Sequence, residues 1–248
     1  MHAEAQMSKI SLNTDNLLNP QTNKEPLRLD DLENKIINAD CMDILRQLPD
    51  KCVDLVLTDP PYGIKADKGS SGFGVQDGRK YSGDWDSKIP EKIIFDEMLR
   101  VAKNAIIFGG NYFTEYLKPT KSWIVWDKVG ENKFKNPFSD VELAWTSLSF
   151  ATRKITCIQQ GFINEDKSQP RIHPTQKPLK LFETILQDYS KENDLVLDCF
   201  SGSGTTAIAC HWLNRRFICI EKDKEYWEAS CKRLEDERKQ LSLFGGNQ

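Results

Sequence analysis

Nowhere in the 248 residues do 18 consecutive apolar side chains occur, and the N-terminus has no apolar segment of the kind a secretory leader carries. Both absences argue against a membrane protein and lead to the expectation of a soluble, cytoplasmic one. The seven cysteines (Cys41, Cys52, Cys157, Cys199, Cys210, Cys219, Cys231) form no CxxC pair and lie mostly within apolar runs. Neither a disulfide framework nor a zinc site is indicated, and His173 stands outside any metal-like cluster, so no metal is expected. A global excess of positive charge is also missing: 34 Lys and Arg stand against 37 Asp and Glu, a net charge of −3. Any surface for a polyanion must then be local. From Lys118 to Lys180, eleven basic residues face six acidic ones, so the middle third is where a basic face could lie.

What is present is an alternation of short apolar runs and helix-like segments. Strands are predicted near Lys35–Ala39, Val53–Thr58, Ala105–Phe108, Trp123–Trp126, Val141–Trp145, Leu195–Leu197 and Phe217–Ile220. Leu181, Phe182, Ile185, Leu186 and Tyr189 form one helical stripe, and Ile93, Ile94, Leu99 and Val101 suggest another. This rhythm predicts a mostly parallel α/β sheet covered on both faces, in one domain over residues 32–234. Residues 1–31 are polar and read as a flexible tail, and residues 235–248 as a C-terminal tail. Six glycines make residues 63–87 a mobile loop of the length that is usually functional.

The second predicted strand ends in Asp59-Pro60-Pro61-Tyr62, which puts this tetrapeptide where open α/β sheets bind their ligands. Two prolines make a stiff turn lacking two N–H donors. An Asp carboxylate beside a Pro carbonyl is an acceptor-only pair, matched to the two N–H bonds of an amino group, and Tyr62 offers a flat face for a base.

The second constellation runs from Leu195 to Thr206, a strand followed by a glycine turn that opens a helix. Gly202, Gly204 and Ala207 satisfy the GxGxxG/A spacing of adenosine-cofactor turns, with Gly204 read as the point of close cofactor approach. Glu221 follows at the end of the next strand, where an acid would bind ribose hydroxyls. Only one charged helix and a tail remain after it, so the strands that complete the sheet must come earlier in the chain. A nicotinamide-dependent oxidoreductase is the rival reading of this turn.

With Asp59-Pro60-Pro61-Tyr62, His173-Pro174-Thr175-Gln176-Lys177-Pro178 and the stretch from Asp198 to Thr206 in this order, the chain from about Asn34 to Leu234 resembles a known family. These are the amino-group DNA methyltransferases of the permuted kind, in which DPPY precedes the cofactor motif. The resemblance implies a circularly permuted, Rossmann-like, seven-stranded mixed sheet and S-adenosylmethionine as methyl donor. It implies a flipped base in double-stranded DNA held by Asp59, Pro60, Pro61 and Tyr62. It carries cofactor binding onto Asp198, Phe200, Gly202, Ser203, Gly204, Thr205 and Glu221. Asp40 ends the first strand, where the family places an acid on the cofactor's adenine; with Asp43 it also reads as a helix N-cap. Lys177 lies at the positive end of the helix that Pro178 opens, a place unfavourable for a cation unless an anion is near. The family puts the methionine carboxylate there.

The implied reaction is direct in-line transfer to an exocyclic amino nitrogen. Carbon-5 methylation of cytosine would call for a cysteine, typically after a proline, and no proline here precedes a cysteine. Asp at the first motif position favours adenine N6 in the family, with cytosine N4 the alternative. Residues 150–172 are a short candidate recognition segment, where Arg153, Lys154, Lys167 and Arg171 could contact phosphates. Gln240-Leu241-Ser242-Leu243-Phe244 resembles the short motif by which bacterial DNA-processing proteins dock on the replication sliding clamp, an expected partner for a bacterial or phage source.

Overall fold

The computed structural model describes residues 28–64, 86–131, 139–160, 163–164, 172–173 and 175–244. The expected tail up to residue 27, nearly all of the 63–87 loop, and Lys167 and Arg171 lie outside the described residues.

All seven expected strands are present: β1 (Lys35–Asn38), β2 (Val53–Thr58), β3 (Ala102–Phe108), β4 (Trp123–Asp127), β5 (Val141–Thr146), β9 (Leu195–Asp198) and β10 (Arg216–Glu221). An eighth, β6 (Arg153–Thr156), joins them, and a two-residue hairpin, β7 (Gln159–Gln160) with β8 (Ile163–Asn164), stands apart. Among the described residues the sheet therefore has eight strands rather than seven, in the order β1-β10-β9-β2-β3-β5-β4-β6. β5 runs antiparallel to both neighbours and the other pairings are parallel, so the sheet is mixed. β6 escapes a reading by apolar pattern because it is a largely exposed edge strand, Arg-Lys-Ile-Thr.

The central strands read as continuous apolar runs because both faces are buried. On one face Leu195, Leu197, Ile218 and Ile220 meet α2 (Cys41–Leu45) and α3 (Lys92–Val101); on the other Val196, Phe217 and Cys219 meet α4 (Leu179–Tyr189) and α5 (Thr205–Trp212). The α4 stripe is as expected. In α3 Ile94, Leu99 and Val101 pack on the core as expected, with Phe95, Met98 and Val101 the fully buried face, while Ile93 is 44% exposed. Spacing of three keeps that buried face on one side of the helix, and Ile93 falls off it.

A single-turn helix, α1 (Leu29–Leu32), lies across the expected end of the tail and buries Leu32. The last helix, α6 (Lys224–Phe244), contacts β1 and continues through the expected boundary at residue 234 into Gln240–Phe244. Among the described residues no helix is long and apolar enough to cross a membrane.

One feature of the topology positions the site. From β2 the chain passes through α3 to β3 on one side, and from β9 through α5 to β10 on the other. The carboxyl ends of the neighbouring strands β2 and β9 therefore flank the point where the connections diverge, which is where open α/β sheets bind ligands.

Candidate active site

Asp59 directly follows β2, and Pro60 beside it is buried. One carboxylate oxygen of Asp59, Oδ1, accepts a 2.5 Å hydrogen bond from the Tyr62 hydroxyl; the other, Oδ2, accepts one from Lys177 Nζ. The Tyr62 ring stacks on Tyr112 with centroids 4.9 Å apart and planes 16° from parallel. Its edge fills the space a side chain at residue 109 would need: a Cβ there would lie 2.1 Å from Tyr62 Cε1, and Gly109 has φ +68°, so glycine is required twice over. The turn is pinned from behind by the buried Asp86, whose Oδ1 accepts the N–H groups of Tyr62 (2.8 Å) and Gly63 (2.9 Å). Asp86 was not singled out from the sequence; its signal is an acid closing a glycine-rich stretch.

Lys177 is 8% exposed, and its ammonium also pairs with Glu142 Oε2 at 3.2 Å. The positive end of α4 calls for an anion near this lysine, and the chain supplies two of its own in Asp59 and Glu142. Burial works against the charged amine, but the Asp59 and Glu142 carboxylates outweigh it and hold its pKa above the ordinary lysine value. Burial pushes the Asp59 carboxyl up, and the attraction of Lys177 only partly reverses this. Glu142, on β5, resists burial because Lys177 and Lys128 both face it, and its pKa falls below the usual range. It also was missed in the sequence, where an acid inside an otherwise apolar strand was the available signal.

The glycine turn sits at the end of β9. Asp198 is 3% exposed, and both its oxygens are taken within the chain: Oδ1 accepts from Thr58 Oγ1 (2.7 Å) and Phe200 N (3.1 Å), Oδ2 from Thr206 Oγ1 (2.5 Å). Burial raises its pKa to about 6. Asp198 thus holds the turn against β2 rather than lining its outer face. Ser203 and Thr205 are buried too, and Arg233 of α6 donates to the Ser203 carbonyl (3.0 Å) and to Thr205 Oγ1 (3.2 Å).

Of the two glycines, Gly202 has the open side. Among the described residues a Cβ there would meet nothing nearer than the His173 ring at 3.8 Å. At Gly204 (φ +75°) a Cβ would instead lie 3.0 Å from Ser230 Cβ and 3.3 Å from Ile36 Cδ1. Expected from its motif to be the point of close cofactor approach, Gly204 instead turns this side to α6 and β1, and glycine is needed there for conformation and packing. Glu221, half-buried at the end of β10, accepts from Gly202 N (2.7 Å) and Asp223 N (2.8 Å). Asp40 is the N-cap of α2, with Oδ1 accepting from Met42 N (3.0 Å), and its Oδ2 pairs with Lys222 at 2.8 Å.

His173, expected to serve its own turn, does so: its Nδ1 accepts from Thr175 N at 3.3 Å. It also packs edge-on to Tyr226 (4.3 Å between centroids) beside Gly202. Four residues later Lys177 reaches Asp59, so the described part of the His173–Pro178 segment joins the glycine turn to the DPPY turn. Arg153 is exposed on β6, and Lys154 there pairs with Asp127 at 3.1 Å. All seven cysteines are free, and burial pushes the thiols of Cys199 and Cys219 well above their ordinary pKa. Such thiols are poor nucleophiles.

The sequence profile of the DNA methylase family matches residues 109–232. The Type II methyltransferase M2.MboI of Moraxella bovis is 30% identical, over 84% of this chain and 89% of its own. This chain belongs to that DNA methylase family, the N6-adenine/N4-cytosine methyltransferases. Type II methyltransferase M.HpaI of Haemophilus parainfluenzae is 27% identical, over 83% of this chain and 76% of its own. PvuII DNA methyltransferase (cytosine-N4-specific) shares the fold, with a TM-score of 0.53 at 17% identity, covering 85% of this chain and 91% of that one. The methylase uses S-adenosylmethionine and methylates DNA site-specifically.

Proposed function

We propose that this enzyme methylates the N6 amino group of adenine, with Asp59, Pro60 and Tyr62 holding the flipped base and the Gly202 side of the glycine turn holding the cofactor. The observation that carries the reading is the placement of an acceptor-only turn and a glycine turn on neighbouring strand ends, with Thr58 bonded directly to Asp198.

The residues fit S-adenosylmethionine. Among the described residues the outer side of Gly202 is open, the Glu221 carboxylate adjoins it, and the His173 and Tyr226 rings stand beside it. Phe200, Gly202 and Glu221 would hold the adenosine, with Asp40 at the next strand end; Asp198, Ser203, Gly204 and Thr205 would support the turn from within. When bound, the cofactor supplies an electrophilic methyl group on a sulfonium.

This chain's own groups prepare the nucleophile. Asp59 Oδ1 would exchange the Tyr62 hydroxyl for an amino hydrogen of the base, and the Pro60 carbonyl would accept the other. Two such acceptors draw the nitrogen's lone pair out of conjugation and orient it. After transfer the nitrogen carries a surplus proton, and Asp59, whose pKa burial has raised, accepts it.

The choice of adenine rests on Asp59 at the first position of its motif. Digesting methylated DNA to nucleosides, with mass analysis, tests it: N6-methyldeoxyadenosine supports the assignment and N4-methyldeoxycytidine overturns it. Double-stranded DNA is the proposed substrate, the cytoplasm the proposed location, and a sliding clamp a proposed partner through Gln240–Phe244. That last proposal rests on sequence alone, and a Leu243→Ala, Phe244→Ala double variant that still binds a bacterial clamp would reject it.

A further inference from the structure

Behind the DPPY turn four charged side chains alternate in sign. Asp59 is bonded to Lys177, Lys177 pairs with Glu142 Oε2 at 3.2 Å, and Glu142 Oε1 pairs with Lys128 at 3.2 Å. The Lys177 ammonium is enclosed by three aromatic rings, with Phe108, Tyr62 and Trp126 centroids at 5.4, 5.6 and 5.9 Å. Such a cage admits a cation while excluding much of its water, so the ammonium depends on its carboxylates, through a hydrogen bond to Asp59 and an ion pair with Glu142. Glu142 is fixed by its position on β5, in register with Trp126 of β4.

A lone lysine could bond either oxygen of Asp59. Paired also with Glu142, Lys177 is held at Oδ2, and Oδ1 is left to the exchangeable Tyr62 hydroxyl. We propose that Glu142 is a positioning residue for methyl transfer, acting through Lys177 to set the orientation of the Asp59 carboxylate so that Oδ1 meets the target amino group. This deepens the assignment of Asp59 above and rests on it.

The charges make the role testable apart from structure. Asp59 is faced by Tyr62 from its own turn, by Lys177 ahead of α4, by Glu142 from β5 with Lys128 behind it, and by Asp198 from the end of β9. Glu142 pushes the Asp59 pKa up and Lys177 draws it down. Glu142→Gln removes a like charge, so the acid limb of the kcat–pH profile moves to lower pH. Lys177→Met leaves two carboxylates without their cation, so the limb moves to higher pH. Lys128→Gln, at the far end, also moves it to higher pH, because Glu142 then loses a neutralising partner.

The experiment measures kcat against pH on duplex DNA, and S-adenosylmethionine affinity by calorimetry, for these three variants and Asp59→Ala. The expected result is a plateau kcat lowered about tenfold in Glu142→Gln, the loss of orientation expected of a displaced reacting group. Cofactor affinity stays unchanged, and the limbs of Glu142→Gln and Lys128→Gln move in opposite directions. An inactive Asp59→Ala with an unaltered Glu142→Gln profile overturns the role of Glu142 alone. An active Asp59→Ala overturns the assignment beneath it. Should Glu142→Gln not fold, an unmoved limb in Lys128→Gln overturns the inference.

Discussion

Thr58 donates its hydroxyl to Asp198 Oδ1 across 2.7 Å, joining the last residue of β2 to the last residue of β9 although 140 positions separate them in the chain. The bond couples the turn that would grip the base to the turn that would hold the cofactor. Neither partner is exposed, so water cannot replace it cheaply.

Thr58→Val keeps the shape and removes this donor. Loss of a buried hydrogen bond to a carboxylate should lower stability by about 1.5–3 kcal/mol. Because the two turns lose their direct link, kcat should fall more than cofactor affinity does. Chemical unfolding together with calorimetric titration of S-adenosylmethionine checks both, and a variant as stable and fast as the parent would show that the turns are held independently.

Replacing Asp59 with Ala should reduce turnover by about 100-fold or more, the loss typical of a positioned catalytic group, and leave cofactor binding nearly intact. Steady-state kinetics beside a cofactor-binding isotherm tests this. Near-normal turnover would remove Asp59 from the mechanism.

Both motifs at the strand ends were legible because each is local: a strand, then four to eight residues whose types dictate a turn. The buried strands were legible because two covered faces leave only apolar residues. Glu142 was not, since its meaning depends on Lys177, 35 positions later, arriving at the same face of the sheet. The face of α3 was legible only in part for a related reason: Ile94, Leu99 and Val101 do pack on the core, but Ile93 and Phe95 are both apolar, and packing against the neighbouring elements decided which of those two was buried. Asp198 was assigned to the cofactor from the motif, but only the position of Thr58 and Thr206 shows its oxygens turned inward.

Gly204→Ala now tests the fold more than the cofactor. The backbone at φ +75° is strained for any L side chain, and the new Cβ would press on Ser230 of α6 at 3.0 Å. A destabilisation of about 1–3 kcal/mol is expected, with cofactor affinity retained in the folded fraction. Thermal unfolding and calorimetry separate the two. Lost affinity at unchanged stability would return Gly204 to the binding surface.

Asp198 also gives the protein a pH signature. Its folded-state pKa is raised to about 6 by burial from an ordinary value of 3.8, so the folded protein holds this proton more tightly than the unfolded chain does. The sign follows from linkage: the contribution to stability is fully present below about pH 4 and is lost as pH rises toward 6, after which it is constant. A shift of this size corresponds to about 3 kcal/mol at most. Asp198→Asn cannot titrate, and its amide hydrogens would oppose the Phe200 N–H and two hydroxyl donors, so it should be less stable than the parent throughout. The difference between parent and variant should shrink between pH 4 and pH 6 and level off above. Denaturant unfolding of both proteins from pH 4 to pH 8 measures it. A constant difference across that range would mean that Asp198 stays ionised when buried, its charge carried by the Thr58, Thr206 and Phe200 donors without need of a proton.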